Sequence, residues 1–504
     1  MTAMASAQMM RRDKPKAAVT VHHMLQAGLR QGLVKVSADR LLHVEESLRA
    51  SYEAFPKDAR GNVPPHQVLP ALTRAYFSKE HGWLVRGLES PGAPVIAPGE
   101  SHQDARLPVT AGGLYEVQIL KDKAPELATA LKDTALSPVA VSAGLSLGDI
   151  SRTVAALEQL LLEESLPLLR ASYFLNGLDN LDQRATEHLP PPVAESQVHE
   201  VLLSYLLLFR HGLPRNLTDS ESHQRLKQRA KKTADWPLLS QFEVQALNEV
   251  IHEPGKISWA QAREAVELIA TRYGRWQQSE CEDMKSTLMK MDTGAGRVKL
   301  QDFHGSPKHP HYQFTEKEDY LAKAGILVEE DGGKYVLIAN YLLGPSNCIA
   351  SSEYFAVCCI NQCETLFSQF ETILQAPAAP VAQIMQAVGR LRDNSTASEL
   401  QESLKMLVDD TGAVVLHSPG FRKWLHQAFP LECPRPTAQE DAAEEAELAE
   451  AREWLEMDEA ARRKWQPLVV HPSECTRIPE WHAEKNSEQG PGLHEEPEGM
   501  LTEV

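Results

Sequence analysis

Apolar residues recur along much of this chain at three- and four-residue spacing, the period of one face of an α-helix. Leu41, Val44, Leu48, Tyr52 and Phe55 share such a face. After "PKDARGNV" comes a second, with Val68, Leu72 and Tyr76. The figure returns downstream. "FEVQALNEVI" precedes a helix bearing Val266, Ile269 and Tyr273, and Met284, Leu288 and Met291 mark another. Leu400, Leu404 and Leu407 precede "FRKWLHQAF", and "VLLSYLLLF" (201–209) reads as a buried helix. The pattern predicts a mainly α protein of serial helix-loop-helix pairs, with only short β contacts between loops.

The helices also repeat in sequence. "EESLRASY" (45–52) and "EESLPLLRASY" (163–173) are each followed by a second apolar helix and by His-Gly, in "FSKEHGWL" and "LFRHGL". Between helices stand Gly61, Gly255, Gly296, Gly333 and Gly412, each with an apolar residue two positions on: Val63, Ile257, Val298, Tyr335 and Val414. Gly255, Gly296 and Gly333 are spaced about 40 residues apart, as successive helix-loop-helix units would be. A glycine supplies the positive φ that a sharp loop needs, and the apolar residue pairs with its counterpart in a neighbouring loop. This arrangement resembles the EF-hand superfamily, with Gly at loop position 6 and the pairing residue at position 8. The resemblance covers five loops, and a sixth near residues 175–194 through the surrounding repeat. It implies grooves between helix pairs that receive an amphipathic helix of a protein partner.

Calcium needs roughly six to eight oxygens, including a bidentate Glu at loop position 12. Counted from their glycines, these loops place Pro56, Val250, Met291, Val328 and Leu407 at position 1, and Gln67, Gln261, Asp302, Ala339 and Ser418 at position 12. None has an acid first or a Glu last. Asp292, Asp302, Asp409 and Asp410 are the calcium candidates that remain, and they are poor ones. No metal and no cofactor are expected.

"GPSNCIASSEYFAVCCINQCETLF" (344–367) is the most unusual segment, with Cys433 later in "FPLECPRP". Cys359 and Cys363 would stand one turn apart on a helix. Three readings compete for Cys348, Cys358, Cys359, Cys363 and Cys433. They are buried reduced thiols, disulfides such as Cys348 with Cys358 or Cys359 and Cys363 with Cys433, or a thiolate zinc site. "HGWLVRGLE", the cysteine block and "WLHQAFPLECPRP" resemble a family of dinoflagellate and related algal proteins with no assigned activity, from about residue 40 to 435. That resemblance implies disulfides and, for some members, a secretory route; it supplies no catalytic residues.

Charge narrows the partners. A net charge of −18 disfavours binding to a nucleic-acid backbone. No run of 18 apolar residues exists, so no spanning helix is expected. The first residues, "MTAMASAQMMRRDKPKAAVTVHH", carry no apolar region ahead of their charges, which favours a cytoplasmic protein and leaves organellar and secretory routes open. Residues 440–459 hold ten acids in a helix-forming stretch where Trp454, Leu455 and Trp465 could dock. "HGSPKHPHYQF" gathers His304, His309 and His311, as a solvated linker more than a metal site. Nucleophile-elbow, zincin, P-loop and dinucleotide motifs are absent.

The organisation expected is a basic arm (1–38), a repeat pair (39–215) with an insertion at 79–150, and further helix-loop-helix units (216–343). A cysteine-block helix with a terminal helix-loop-helix (344–435), an acidic helix (436–468) and a disordered tail (469–504) complete it. The function expected is that of a non-catalytic interaction or scaffold protein. A calcium-responsive regulator and an enzyme with a site near the cysteine block are the alternatives.

Overall fold

The computed structural model describes residues 36–89, 114, 117–125, 128–129, 131, 143–179, 189–211, 220–233, 235–251, 255–306, 309, 312–350, 352, 354–391 and 397–462. They lie in one compact unit, residues 1–467, and are mainly helical. The tail and nearly all of the basic arm lie outside the described residues.

Ser37 caps α1 (Ala38–Glu53) by accepting from Arg40 N, and Val44, Leu48 and Tyr52 are its buried face. The chain turns at Gly61, φ +80°, into α2 (Pro65–Glu80) and then β1 (Trp83–Val85). After α3 (Gln118–Lys123), a capping box of Ser146 and Asp149 starts α4 (Leu147–Glu163). An antiparallel bridge between Val63 and Leu145 joins the loops ahead of α2 and α4.

The scheme recurs. α5 (Ser165–Leu175), β2 (Val193–Ala194) and α6 (Glu195–His211) are followed by α7 (Ser220–Ala230), α8 (Trp236–Val250), β3 (Lys256–Ile257) and α9 (Trp259–Met289). Val193 pairs with Ile257. Next come β4 (Arg297–Lys299), α10 (Leu300–His304), α11 (Glu318–Lys323), β5 (Leu327–Glu330), β6 (Gly333–Leu337) and α12 (Ile338–Leu342), with Val298 opposite Val336. β7 (Ile349–Ala350) and β8 (Phe355–Val357) then return to β1 as a sheet of order β1-β8-β7. Last are α13 (Gln362–Leu374), β9 (Ala378–Ala379), α14 (Val381–Leu391), α15 (Ala397–Lys405), β10 (Val414–Val415) and α16 (Pro419–Ala428), where Val414 pairs with Ala379. α17 (Ala438–Glu456) and α18 (Glu459–Arg462) end the described chain.

Every one of these loop contacts is two or three residues long at most and carries buried apolar side chains at its centre. Three expectations change. The stretch expected as an insertion at 79–150 contains Gly144 and Leu145, the loop that pairs with Val63. Gly333 opens a strand rather than a helix-joining bend. The positive φ values there belong to Asp331 and Gly332, which close the β5–β6 hairpin, so Val336 and not Tyr335 is the pairing residue. The cysteine block is not helical over Cys358–Cys359: these residues follow directly on β8, which ends at Val357, and Asn361 caps α13 only afterwards.

The first two loop pairs share one large core, which takes in Phe355 and Val357 of β8. The third and fourth pairs have cores of their own. α9 serves two of the three, since Ala262 to Tyr273 lie in the large core and Met284 and Leu288 in the third pair's. At its middle, a Cβ on Gly274 would stand 2.0 Å from the carbonyl oxygen of His81, so the end of α2 rests directly on the α9 backbone.

Glu158 of α4, 1% exposed, holds that junction together. Arg40 donates to both its oxygens, Tyr76 Oη donates to Oε1 at 2.9 Å, and His81 Nε2 lies 2.6 Å from Oε1. His81 Nδ1 in turn faces Thr271 O of α9 at 3.1 Å. Burial alone would raise the Glu158 pKa, but the hydrogen bonds from His81 and Arg40 overcome it and hold the group at about 2. A folded pKa below the unfolded one gives stability that is present above about pH 4.5 and lost as pH falls toward 2.

Two outcomes follow for denaturant unfolding. Glu158→Gln should cost about 3 kcal/mol at pH 7 by leaving the half-buried Arg40 and the buried His81 without their carboxylate, and its penalty should shrink in acid. Gly274→Ala should cost about 2 kcal/mol or more by driving α2 off α9.

Candidate functional site

The loops are where metal chemistry would sit, so their oxygens decide what they can do. In the first, Asp58 Oδ1 accepts from Arg60 N (2.9 Å) and Asn62 N (3.0 Å), Asp58 N donates to Asn62 O, and Gly61 N donates to Asp58 O. The loop before β10 repeats this bond for bond. Asp409 Oδ1 accepts from Thr411 N (2.9 Å) and Ala413 N (3.3 Å), Asp409 N donates to Ala413 O, and Gly412 N donates to Asp409 O. Gly61 and Gly412 share a φ near +80°. In the loop before β4, one residue longer, Asp292 Oδ1 accepts from Gly294 N and Arg297 N, both at 3.0 Å.

Each aspartate therefore turns an oxygen inward onto amides of its own loop. Such a turn is stabilised from within, by the aspartate side chain together with the backbone bonds of the loop. The other Asp58 oxygen is taken as well: Arg462 Nη1 donates to Oδ2 at 3.1 Å. A guanidinium from the far end of the described chain thus neutralises the first loop's carboxylate. Arg462 also lies over the Trp454 ring, 3.8 Å from its centroid, and donates to Trp454 O and Leu455 O. Asp302 and Asp410, the other calcium candidates, are exposed, the former in the first turn of α10. Among the described residues, no group of three or more His, Cys, Asp or Glu side chains is placed to hold a metal ion.

Six cysteines are paired: Cys281 with Cys359, Cys348 with Cys358, and Cys363 with Cys433. Successive residues of an extended chain point to opposite sides, so Cys358 reaches back to Cys348 while its neighbour Cys359 reaches α9. Cys363, in the first turn of α13, reaches the segment after α16. The bonds across 78 and 70 residues close long loops of the unfolded chain, worth about 4 kcal/mol each in a chain-entropy account. Beside Cys281 and Cys359 a small cleft holds Lys285, whose Nζ donates to Gln362 Oε1 (2.7 Å) and Glu432 Oε1 (2.9 Å).

The histidine run does not converge. His304 Nε2 meets Glu316 O at 3.0 Å, whereas His309 stacks on Tyr312 and faces Asp283; His311 lies outside the described residues. Two buried clusters carry reactive residue types instead. Between α6 and α7, His223 Nε2 is 2.9 Å from Ser204 Oγ, and Lys227 Nζ donates to that oxygen at 3.2 Å. Ser204 is fully buried and donates to Glu200 O, so it is a packed helix serine rather than a poised nucleophile. Burial pushes His223 down to about 4, which keeps it neutral beside Lys227. Between α6 and α8, burial lifts Glu243 to about 7, against the opposing pull of His199 Nδ1 at 2.9 Å.

Arg462, Cys281 and Leu145, which meet Asp58, Cys359 and Val63, are the residues of these loops and bonds that the sequence does not single out. Asp58 and Asp409 do carry a shared signal, Asp-x-x-Gly-x-Val, at 58–63 and 409–414. With this geometry in hand, the chain was compared with known proteins: no family model, curated protein or solved structure matches it.

Glu243 has a folded pKa above its ordinary value, so its contribution to stability is fully present below about pH 4.5 and is lost as pH rises through about 7. Glu243→Gln should therefore be the more stable protein at pH 9, by about 2 kcal/mol, and lose that advantage at pH 5. Urea unfolding at the two pH values measures both.

Proposed function

We propose that this protein is a non-catalytic interaction scaffold built from EF-hand-like helix-loop-helix units whose loops work without calcium. The observation that carries the reading is the use of loop carboxylates as internal caps. The inward oxygens of Asp58, Asp292 and Asp409 are occupied by loop amides, and Arg462 supplies a positive charge at Asp58. Antiparallel contacts centred on Val63 and Leu145, Val193 and Ile257, Val298 and Val336, and Val414 and Ala379 support the pairing of units. In this reading the helix surfaces are fixed for a protein partner, not opened by an ion.

The three disulfides support an oxidising compartment for the working protein, because such bonds persist there and not among cytosolic thiols. They also hold the units in one arrangement, as a scaffold requires.

Calcium titration tests the reading. A site filled at a thousandfold excess over its Kd would raise unfolding stability by about 4 kcal/mol. Isothermal titration and thermal melts with millimolar calcium or with chelator should give no saturable heat and superposable curves. Saturable micromolar binding would replace the scaffold with a calcium-responsive regulator.

A further inference from the structure

α17 and α18 cross the body in an unusual way. α17 lies against α2 and α16. Of its described side chains only Trp454 is fully buried; the others are half-buried or exposed. A helix polar on nearly every side gains little from burial. Its hold consists of an ionic edge and an aromatic anchor. On the edge, Arg422 pairs with Glu444 and Lys423 with Asp441 (2.7 Å); the basic side chains are 41% and 55% exposed, the acidic ones 12% and 14%. Ion pairs that open to solvent add little to stability. At the anchor, the Trp454 ring covers Gly144, where an added Cβ would stand 3.0 Å from it, and Arg462 fastens the end to Asp58. The anchor thus sits on the two loops joined by the Val63–Leu145 bridge.

A buried tryptophan at one end of a polar helix, with ion pairs at the other end whose basic partners open to solvent, is the anatomy of an exchangeable protein interface more than of a core. We propose that the surface of α2, α16 and the first loop pair is a docking site for an acidic helix carrying a tryptophan anchor. The chain's own α17–α18 occupies it in cis until a partner of the same chemistry displaces it. Charge complementarity selects the partner, since Arg422 and Lys423 present a basic edge on a chain of net charge −18. Tethering gives α17 a high effective concentration, so a free competitor binds only when it is abundant or when the anchor is weakened. The inference deepens the scaffold reading and rests on it; calcium binding would sink that reading, whereas the experiment below can fail with the scaffold intact.

A fluorescein-labelled peptide of residues 437–462 is titrated into the full chain and into its Trp454→Ala variant. The variant should bind at least about tenfold more tightly than the unmodified chain, with affinity falling as salt rises. Adding Arg422→Glu and Lys423→Glu to the variant should weaken binding about tenfold, and a peptide carrying Asp441→Lys and Glu444→Lys should restore it. Equal affinities, no saturable binding to the variant, or no rescue would each overturn the proposal. A second measurement needs no mutation: excess peptide should speed hydrogen exchange at residues 438–456 of the unmodified chain while α2 and α16 keep their protection. Unchanged exchange would also overturn it, as would a dimer formed by trading α17 between two copies, which would make the occupant a second copy.

Discussion

A single helix sets the arrangement of everything else. α9 runs 31 residues, about 46 Å, from the large core into the third pair's core, so neither can turn without bending it. Its midpoint is held from two sides. Gly274 admits the His81 carbonyl, and Cys281, two turns on, is bonded to Cys359. Helices that join two packed units as one rod leave little room for hinge motion between them.

The electrostatics follow from that rigidity. Carboxylates here are held by fixed partners: Glu158 by Arg40, with Tyr76 and His81 in hydrogen-bond reach, and Asp58 by Arg462. In an ion-responsive protein, carboxylates repel one another until the cation arrives, and that repulsion is what drives the change of shape. Loops whose oxygens are satisfied by their own amides store no such repulsion. Guanidinium groups meet loop carboxylates at two places, Arg462 at Asp58 and Arg297 at Glu330.

The helices were legible because burial of one face imposes its period on the sequence. Val44, Leu48 and Tyr52, and likewise Val266, Ile269 and Tyr273, are all buried. The loop partners were half legible. A Gly-x-apolar signature marks Val63, Ile257, Val298 and Val414, but their partners Leu145, Val193, Val336 and Ala379 do not follow it. The contact needs a paired backbone and a buried apolar side chain on both sides, but not the glycine signature: Gly255 has no positive φ, whereas Gly144 bends the chain immediately ahead of Leu145 without the intervening residue. The candidate site was less legible still. Arg462 meets Asp58 across 404 positions of sequence, and no local spacing encodes a contact of that kind.

The adjacent cysteines at the end of β8 carry a last consequence. Cys358 and Cys359 go to different partners: Cys358 meets Cys348 where β7 and β8 pair with Ile349 beside Val357, and Cys359 meets Cys281 of α9 from the next position. A slide of one place would invert the strand and send each sulfur toward the wrong mate. The two bonds together therefore pin β8 to its neighbour β7 on one side and to α9 on the other.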